Sequence, residues 1–135
     1  MSEQLDIFSK RRKFKPPPAL EFEVQCMVAD TLRAAAAPGW IWTHLPMGEA
    51  RTAATGARLK RMGTQRGWPD FLLIDPGGRP HGLELKRGNQ PQTDDQKLIE
   101  SAFLGRACPY QVARSFKQAI EILKVWGAVR TTVSA

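Results

Sequence analysis

Hydrophobic residues recur every three or four positions in two long stretches of the chain, which is the spacing of one face of an α-helix. The first stretch covers residues 19–37 and ends at a Pro-Gly pair. The last covers residues 115–126 and ends at a glycine, as helices commonly do. Two further helices are predicted, a short basic one at residues 56–62 and another at residues 94–104.

Four short apolar runs predict strands at residues 40–45, 71–74, 82–86 and 108–113. The run at 71–74 is almost continuously apolar, which predicts a strand buried on both faces. Apart from the short basic helix, the order along the chain is helix, three strands, helix, strand, helix. This order predicts an α/β fold in which helices flank a mixed central sheet.

The chain length of 135 residues predicts one domain that is large enough to bury a core. We expect a basic, flexible lead at residues 1–18, a domain at residues 19–127 and a tail at residues 128–135. The sequence contains no apolar run of membrane-spanning length and no signal-peptide pattern. No membrane association is therefore expected, and the cytoplasm is the expected location.

Lysine and arginine outnumber aspartate and glutamate by 20 to 13, which gives a formal net charge of +7. Such an excess is typical of proteins that bind polyanions, although a generically basic protein explains the sum as well. One basic cluster contains no acid and ends just before Asp70, a candidate site residue. With one arginine downstream, it forms the set that we expect to contact DNA phosphates. The set is Arg51, Arg58, Lys60, Arg61, Arg66 and Arg87.

Three residues on or beside the predicted strands combine the groups that phosphodiester hydrolysis requires. Asp70 ends the motif Gly67–Asp70, and Glu84 and Lys86 lie on a later strand. Carboxylates are ligands for hard divalent cations, which polarise a phosphate and activate a bound water. A lysine can orient that water or hold the phosphate. Because side chains alternate along a strand, Glu84 and Lys86 share a face. Each residue also has a purely structural alternative. Asp70 could cap the start of the strand that follows it, and Lys86 could form an ion pair with Asp70 or Glu84.

The turn between the second and third strands creates a conflict over these faces. A two-residue turn at Gly77-Gly78 would pair Asp70 with Leu85, which puts Asp70 on the face opposite to Glu84. Two arrangements would bring the carboxylates together: a longer connection, or a bulge or bend near Pro69. The residues alone leave both open.

One acid on the first predicted helix is also a candidate. An advance of about 100° per residue places Glu21 within the apolar arc and Glu23 outside it, with Gln25 one turn after Glu21. We therefore expect Glu21 to face the domain interior. The alternative is a first-turn glutamate that is favoured only by the helix dipole. The two histidines, His44 and His81, show no metal or triad spacing and are predicted to be structural or surface residues.

These residues carry a resemblance to a known family. The motifs at residues 58–63, 67–70 and 84–86 resemble those of the VRR-NUC domain, a branch of the PD-(D/E)xK nuclease superfamily, and the similarity extends to Trp126. The resemblance implies a restriction-endonuclease-like core. The element order of that core, αβββαβα, is the order predicted above.

The resemblance also implies roles for individual residues. Asp70, Glu84 and the carbonyl of Leu85 would hold Mg²⁺ or Mn²⁺, and Glu21 would add a ligand directly or through water. Lys86 would position the attacking water. Gln96 would belong to an extended site, although Thr93–Gln96 is also a capping-box pattern that gives it a purely structural role.

The implied activity is that of a metal-dependent DNA endonuclease of the short phage or prophage type. Some such proteins act as homodimers on branched DNA such as four-way junctions, so DNA and a second copy of the chain are the expected partners. Two alternatives to this activity stay open. One is a nucleic-acid-binding module without catalysis, and the other is a nuclease subunit that needs a partner for target choice.

Overall fold

The computed structural model describes residues 18–46 and 52–133. The described residues form four helices and four strands in the predicted order. The helices are α1 (Pro18–Ala35), α2 (Ala53–Arg61), α3 (Asp94–Leu104) and α4 (Phe116–Trp126), and the strands are β1 (Ile41–His44), β2 (Phe71–Ile74), β3 (Pro80–Leu85) and β4 (Tyr110–Ala113). The predicted α/β class is confirmed. Arg51 and residues 1–17 of the predicted lead lie outside the described residues.

The described strands form one mixed sheet in the order β1-β2-β3-β4. The first three pair antiparallel, and β4 pairs parallel with β3. A parallel neighbour requires a crossover connection, and α3 lies within it. α3 contacts β3 and β4, whereas α4 contacts β4 and α1. No described helix combines the length and apolar character that crossing a membrane demands.

The hydrophobic core lies where α1 and α4 pack with one face of the sheet. The sheet contributes alternate side chains of β2 and β3, as a strand with one core face should. In β2 this alternation is visible as full burial of Phe71 and Leu73 and partial burial of Leu72 and Ile74. The prediction that both faces of β2 are buried therefore holds in full for one face only. The largest core side chains are Val28, Leu32, Phe71, Leu73, Leu83, Ile120 and Leu123.

The residues that follow α4 contribute to the core. Ala128 and Val129 are buried in the core, and Val129 forms a β-bridge with Ala36 at the end of α1. The Ala37 N–H also donates to the Ala128 carbonyl at 2.7 Å. Within the predicted tail at residues 128–135, Ala128 and Val129 thus belong to the core and Val133 packs against it, whereas residues 130–132 are exposed.

The connection between β2 and β3 resolves the conflict over faces. Ile74 pairs with Pro80, so the connection is five residues long, and Asp75 closes it by accepting the N–H groups of Gly77 and Arg79 at 2.9 Å each. Phe71 consequently pairs with Leu83. One step further along this register, Asp70 lies opposite Glu84, and opposite residues of an antiparallel pair share a face. The structure adopts the longer connection and also has a bend at Asp70, so both arrangements that would bring the carboxylates together are present.

The loop that leads into β2 is packed against the start of α3. Gly67 has a φ of +92°, in the left-handed region. A Cβ at this position would overlap the Asp95 carbonyl oxygen and lie 2.9 Å from the Gln96 nitrogen. Only glycine permits this approach of two backbones. The contact holds the loop that ends in Asp70 at a fixed place beside α3.

We expect Gly67→Ala to lower the free energy of unfolding by more than about 3 kcal/mol, because backbone overlap adds to left-handed strain. Gly63 is the matched control, since its φ is +104° and a Cβ there meets nothing within 4 Å. Gly63→Ala should cost about 1 kcal/mol. Urea unfolding of both variants measures the difference, and equal losses would contradict the close contact between the loop and α3.

Candidate active site

The backbone of Asp70 is fixed by the end of β1. The Asp70 carbonyl accepts the Leu45 N–H at 2.7 Å and the His44 Nδ1–H at 2.7 Å. Because the acceptor is a carbonyl, the ring nitrogen of His44 must carry the proton in this contact. The structural role predicted for His44 is thus the orientation of the residue that carries the first candidate carboxylate.

The carboxylate of Asp70 is held by two further donors. The Leu85 N–H donates to Oδ2 at 2.6 Å, and the Gln25 side-chain amide donates to Oδ1 at 3.3 Å. The first donor comes from β3 and the second from α1. Asp70 therefore links the start of β2 to the neighbouring strand and to the first helix.

Glu84 is the other carboxylate, and it is 1% exposed between the buried residues Leu83 and Leu85 of β3. The Tyr110 hydroxyl of β4 donates to its Oε1 at 2.6 Å. Its Oε2 is also buried, and no group within residues 18–46 and 52–133 gives it a hydrogen bond. A buried carboxylate oxygen without a partner is destabilising, so this atom is one that a cation would satisfy.

Burial raises the pKa of Asp70 to about 6 from an ordinary value of 3.8. The Leu85 N–H bond and the nearby His44 counteract this effect, whereas the charges of Glu84 and Glu21 add to it. Burial also raises the pKa of the Tyr110 hydroxyl, and its hydrogen bond to Glu84 raises it further. Tyr110 therefore stays protonated and donates its hydroxyl hydrogen bond to Glu84.

Helix α1 presents its two glutamates differently. Glu21 is half-buried and close enough to raise the pKa of Asp70, whereas Glu23 is exposed. Gln25, one turn after Glu21, contacts Asp70 directly. The predicted orientation of this helix therefore agrees with the structure. Glu21 also lies in the first turn, where the helix dipole favours an acid.

Lys86 follows β3 and is half-buried. Its backbone N–H donates to the Ala113 carbonyl at 2.9 Å. The structural alternative for Lys86 was an ion pair with Asp70 or Glu84. Within the described ranges its side chain forms no such pair, and the ion pair that is present joins Arg33 and Asp30.

Gln96 forms the predicted capping box at the start of α3. Its backbone N–H donates to Thr93 Oγ1 at 3.2 Å, and its Oε1 accepts the Thr93 N–H at 2.8 Å. The structural role is therefore confirmed. The contact of Gly67 with residues 95–96 places the start of α3 against the loop that leads to Asp70. Membership of Gln96 in an extended site stays a prediction.

Most of the predicted DNA-binding residues are exposed. The last turn of α2 carries three of them, and α2 has no buried residue. Arg66 is exposed in the loop that follows, and Arg87 is half-buried beside Lys86. The residues exposed to solvent on α2 and its loop are Arg58, Lys60, Arg61 and Arg66.

The donor set around Asp70 and Glu84 suits a cation that is only partly enclosed by protein. No group of three or more histidine, cysteine, aspartate or glutamate side chains in the described part of the chain is arranged to hold a metal ion. Mg²⁺ is commonly bound by one or two carboxylates and completes its shell with water and substrate phosphates. Two carboxylates, one with an unpartnered buried oxygen, fit that kind of ion.

Sequence reasoning did not identify Tyr110 as part of the site. The residue is the only tyrosine of the chain, and it lies 26 positions from Glu84. The available signal was indirect: a glutamate between two leucines in a central strand requires a donor on a neighbouring strand. The contacts that His44 and Gln25 make with Asp70 were not predicted either, because they depend on the packing of β1 and α1 around β2.

Asp70→Asn should stabilise the protein in EDTA, and the gain should grow between about pH 4 and about pH 7. Because the folded-state pKa of Asp70 is raised, its contribution to stability is present at low pH and is lost as pH rises through about 6. The gain should reach on the order of 2 kcal/mol. Asp75→Asn is the control, because turn N–H groups lower the pKa of Asp75 and its effect should stay constant over this range. Melting temperatures measured across the range check both variants. A stability gain in Asp70→Asn that does not change with pH would show that the pKa of Asp70 is not raised in the folded protein.

The fold has counterparts among solved structures. One, described as a VRR_NUC domain protein, has a TM-score of 0.66 and 24% sequence identity, over 84% of this chain and 90% of that chain. Another, described as a VRR_NUC domain, has a TM-score of 0.54 and 24% identity, over 77% of this chain and 94% of that chain. No protein-family model and no curated protein matches the sequence. The chain therefore has the fold of the VRR_NUC domain.

Proposed function

We propose that the chain is a metal-dependent nuclease that hydrolyses phosphodiester bonds in DNA. The observation that carries the proposal is the pair of carboxylates at the start of β2 and on β3. Within the described residues, buried Glu84 has an oxygen without a hydrogen-bond partner, and Lys86 follows two residues later. Hard divalent cations bind such oxygens. The names of the two similar structures and the motif resemblance support the same class, but fold alone does not establish activity.

In the proposed mechanism, Asp70 and Glu84 would hold Mg²⁺ or Mn²⁺ together with the Leu85 carbonyl. When bound, the cation polarises the phosphate and lowers the pKa of a water ligand. Leu85 thus has two functions, because its N–H already orients Asp70. Lys86, free of an ion pair with either acid in the described structure, holds the phosphate or orients the attacking water.

Glu21 has a supporting role in this proposal. The three acids do not form a metal cluster within the described residues, so Glu21 acts through water or through its charge. The influence of Glu21 on the pKa of Asp70 supports such a role. Gln96 is placed in the extended site on the resemblance and on its position beside the Gly67 loop.

The basic residues provide the contacts to DNA phosphates. Arg58, Lys60, Arg61 and Arg66 are exposed on α2 and the loop before β2, and we add Arg51 and Arg87 to this set. The net charge of +7 supports binding to a polyanion. A preference for branched DNA, action as a homodimer, a phage-type origin and a cytoplasmic location are further parts of the proposal that rest on the resemblance alone.

Asp70→Asn and Glu84→Gln should each reduce DNA cleavage by at least about 10²-fold. Loss of an outer partner of a metal ligand commonly costs about 10- to 100-fold, and loss of the charge of a ligand itself should cost more. Both changes keep the size of the side chain, so DNA binding in EDTA should remain near the wild-type level. Cleavage is measured with Mn²⁺ on linear, flap and four-way substrates. Cleavage near the wild-type rate in either variant would refute the assignment.

The same assay separates the enzyme from a binding module. A wild-type protein that binds DNA equally in EDTA and Mn²⁺ and cleaves none of the substrates would support a non-catalytic module. Cleavage that requires addition of extract from the native host would support a nuclease subunit with a partner. The orphaned oxygen of Glu84 favours the enzyme, because a phosphate-binding surface does not need a buried carboxylate.

The two glutamates of α1 form a matched pair. Glu21→Gln should reduce the cleavage rate by on the order of 10²-fold, because it removes a charge next to Asp70. Glu23→Gln alters an exposed residue and should leave activity and stability near wild type, within about 0.5 kcal/mol. Cleavage rates and melting temperatures of both variants are measured side by side. If Glu23→Gln is the inactive variant, the site involves the other face of α1.

A further inference from the structure

The environment of Glu84 contains one donor whose role extends beyond packing. Glu84 is the most deeply buried acid of the described residues, with 1% of its surface exposed. Its two oxygens are in different situations. Oε1 accepts the Tyr110 hydroxyl at 2.6 Å, and Oε2 has no hydrogen bond within the described structure. A hydrogen bond to an ionised acceptor is short and strong, so the hydroxyl fixes the rotamer of the carboxylate.

The position of Tyr110 is itself built into the sheet. In the parallel pairing of β3 and β4, Tyr110 lies beside Gly82, two residues before Glu84. A Cβ at Gly82 would be 2.8 Å from Tyr110 Cδ2, so the absence of a side chain gives the ring its place. The Phe103 ring packs edge-on against Tyr110, with centroids 5.5 Å apart. Strand alternation puts residues 82 and 84 on one face, so the ring over Gly82 directs the hydroxyl along β3 toward Glu84.

Packing alone does not account for this arrangement. A phenylalanine would fill the same space over Gly82 and beside Phe103, whereas the hydroxyl adds only the contact with Glu84. That contact also requires Glu84 to be buried next to it, which is unfavourable for a charged group without a second partner. The buried Tyr110–Glu84 pair is therefore unfavourable as a purely structural element. It becomes favourable when a cation binds to Oε2 of Glu84.

We propose that Tyr110 is a positioning residue that holds Glu84 by Oε1 and thereby reserves Oε2 for the divalent cation. The proposal rests on the proposed function, and it assigns to β4 a part in a site whose carboxylates come from β2 and β3. Tyr110 does not contact the cation or the phosphate. It acts through the orientation of Glu84, in the way that outer partners commonly orient metal ligands.

Tyr110→Phe tests the proposal, because it removes the hydroxyl and keeps the ring. We expect the full chain to bind Mn²⁺ on the order of tenfold more weakly, as measured from the electron paramagnetic resonance signal of the free ion. Cleavage should need a correspondingly higher Mn²⁺ concentration and should recover substantially at saturation. DNA binding in EDTA should not change.

Phe103→Leu is the matched control, since it disturbs the packing around Tyr110 and leaves the hydroxyl and Glu84 in place. It should lower the melting temperature and leave Mn²⁺ affinity near wild type. Wild-type Mn²⁺ affinity in Tyr110→Phe would overturn the proposal, and so would an equal loss of affinity in Phe103→Leu, which would assign the effect to packing.

The outcomes also separate this proposal from the proposed function. If the wild-type protein cleaves DNA and Tyr110→Phe keeps the wild-type Mn²⁺ affinity, only the role of Tyr110 fails. If the wild-type protein binds Mn²⁺, loses affinity in Tyr110→Phe and cleaves no DNA, the role of Tyr110 stands and the nuclease assignment fails. A wild-type protein that does not bind Mn²⁺ would overturn both.

Discussion

The register between β2 and β3 is the constraint on which the candidate site depends. It is set by a five-residue connection that the Asp75 carboxylate closes by accepting the N–H groups of Gly77 and Arg79. That length pairs Phe71 with Leu83 and, one step further, brings Asp70 opposite Glu84. A slip by one residue would exchange the faces of every side chain on the strand. The same register therefore keeps the apolar residues in the core and the two acids together. A change of register that moved the acids apart would also expose the core.

Burial of the two acids destabilises the metal-free protein. The pKa of Asp70 rises to about 6, and Glu84 keeps a buried oxygen without a hydrogen bond within the described residues. Such groups persist only where the surrounding structure fixes them. Here the support comes from the opposite face of the sheet, where α1 and α4 cover the apolar side chains of β2 and β3. The stability of the apolar face thus maintains an arrangement on the other face that is unfavourable in the metal-free protein. Under the proposed function, a bound cation would offset this cost.

Sequence patterns predicted the elements well because each is encoded locally. The capping box at Thr93, the glycine after α4 and the apolar period of α1 all act within a few residues. The register was not predictable, because it depends on the Asp75 side chain inside the turn rather than on the glycines that mark it. The partner of Glu84 was not predictable either, since Tyr110 reaches it through the parallel pairing with β4. Local signals locate the acids, and long-range pairing determines what orients them.

The acids and the basic residues obey different physical requirements. The donors that orient the site come from α1, β1, β3 and β4, namely Gln25, His44, the Leu85 N–H and Tyr110. Coordination of a cation requires fixed oxygens, and four elements converge to fix them. Contact with a phosphate backbone requires only accessible charge, which exposed α2 supplies without any buried residue. The helix that lacks a core face therefore suits the polyanion, and the most deeply packed strand carries the acid that would hold the metal.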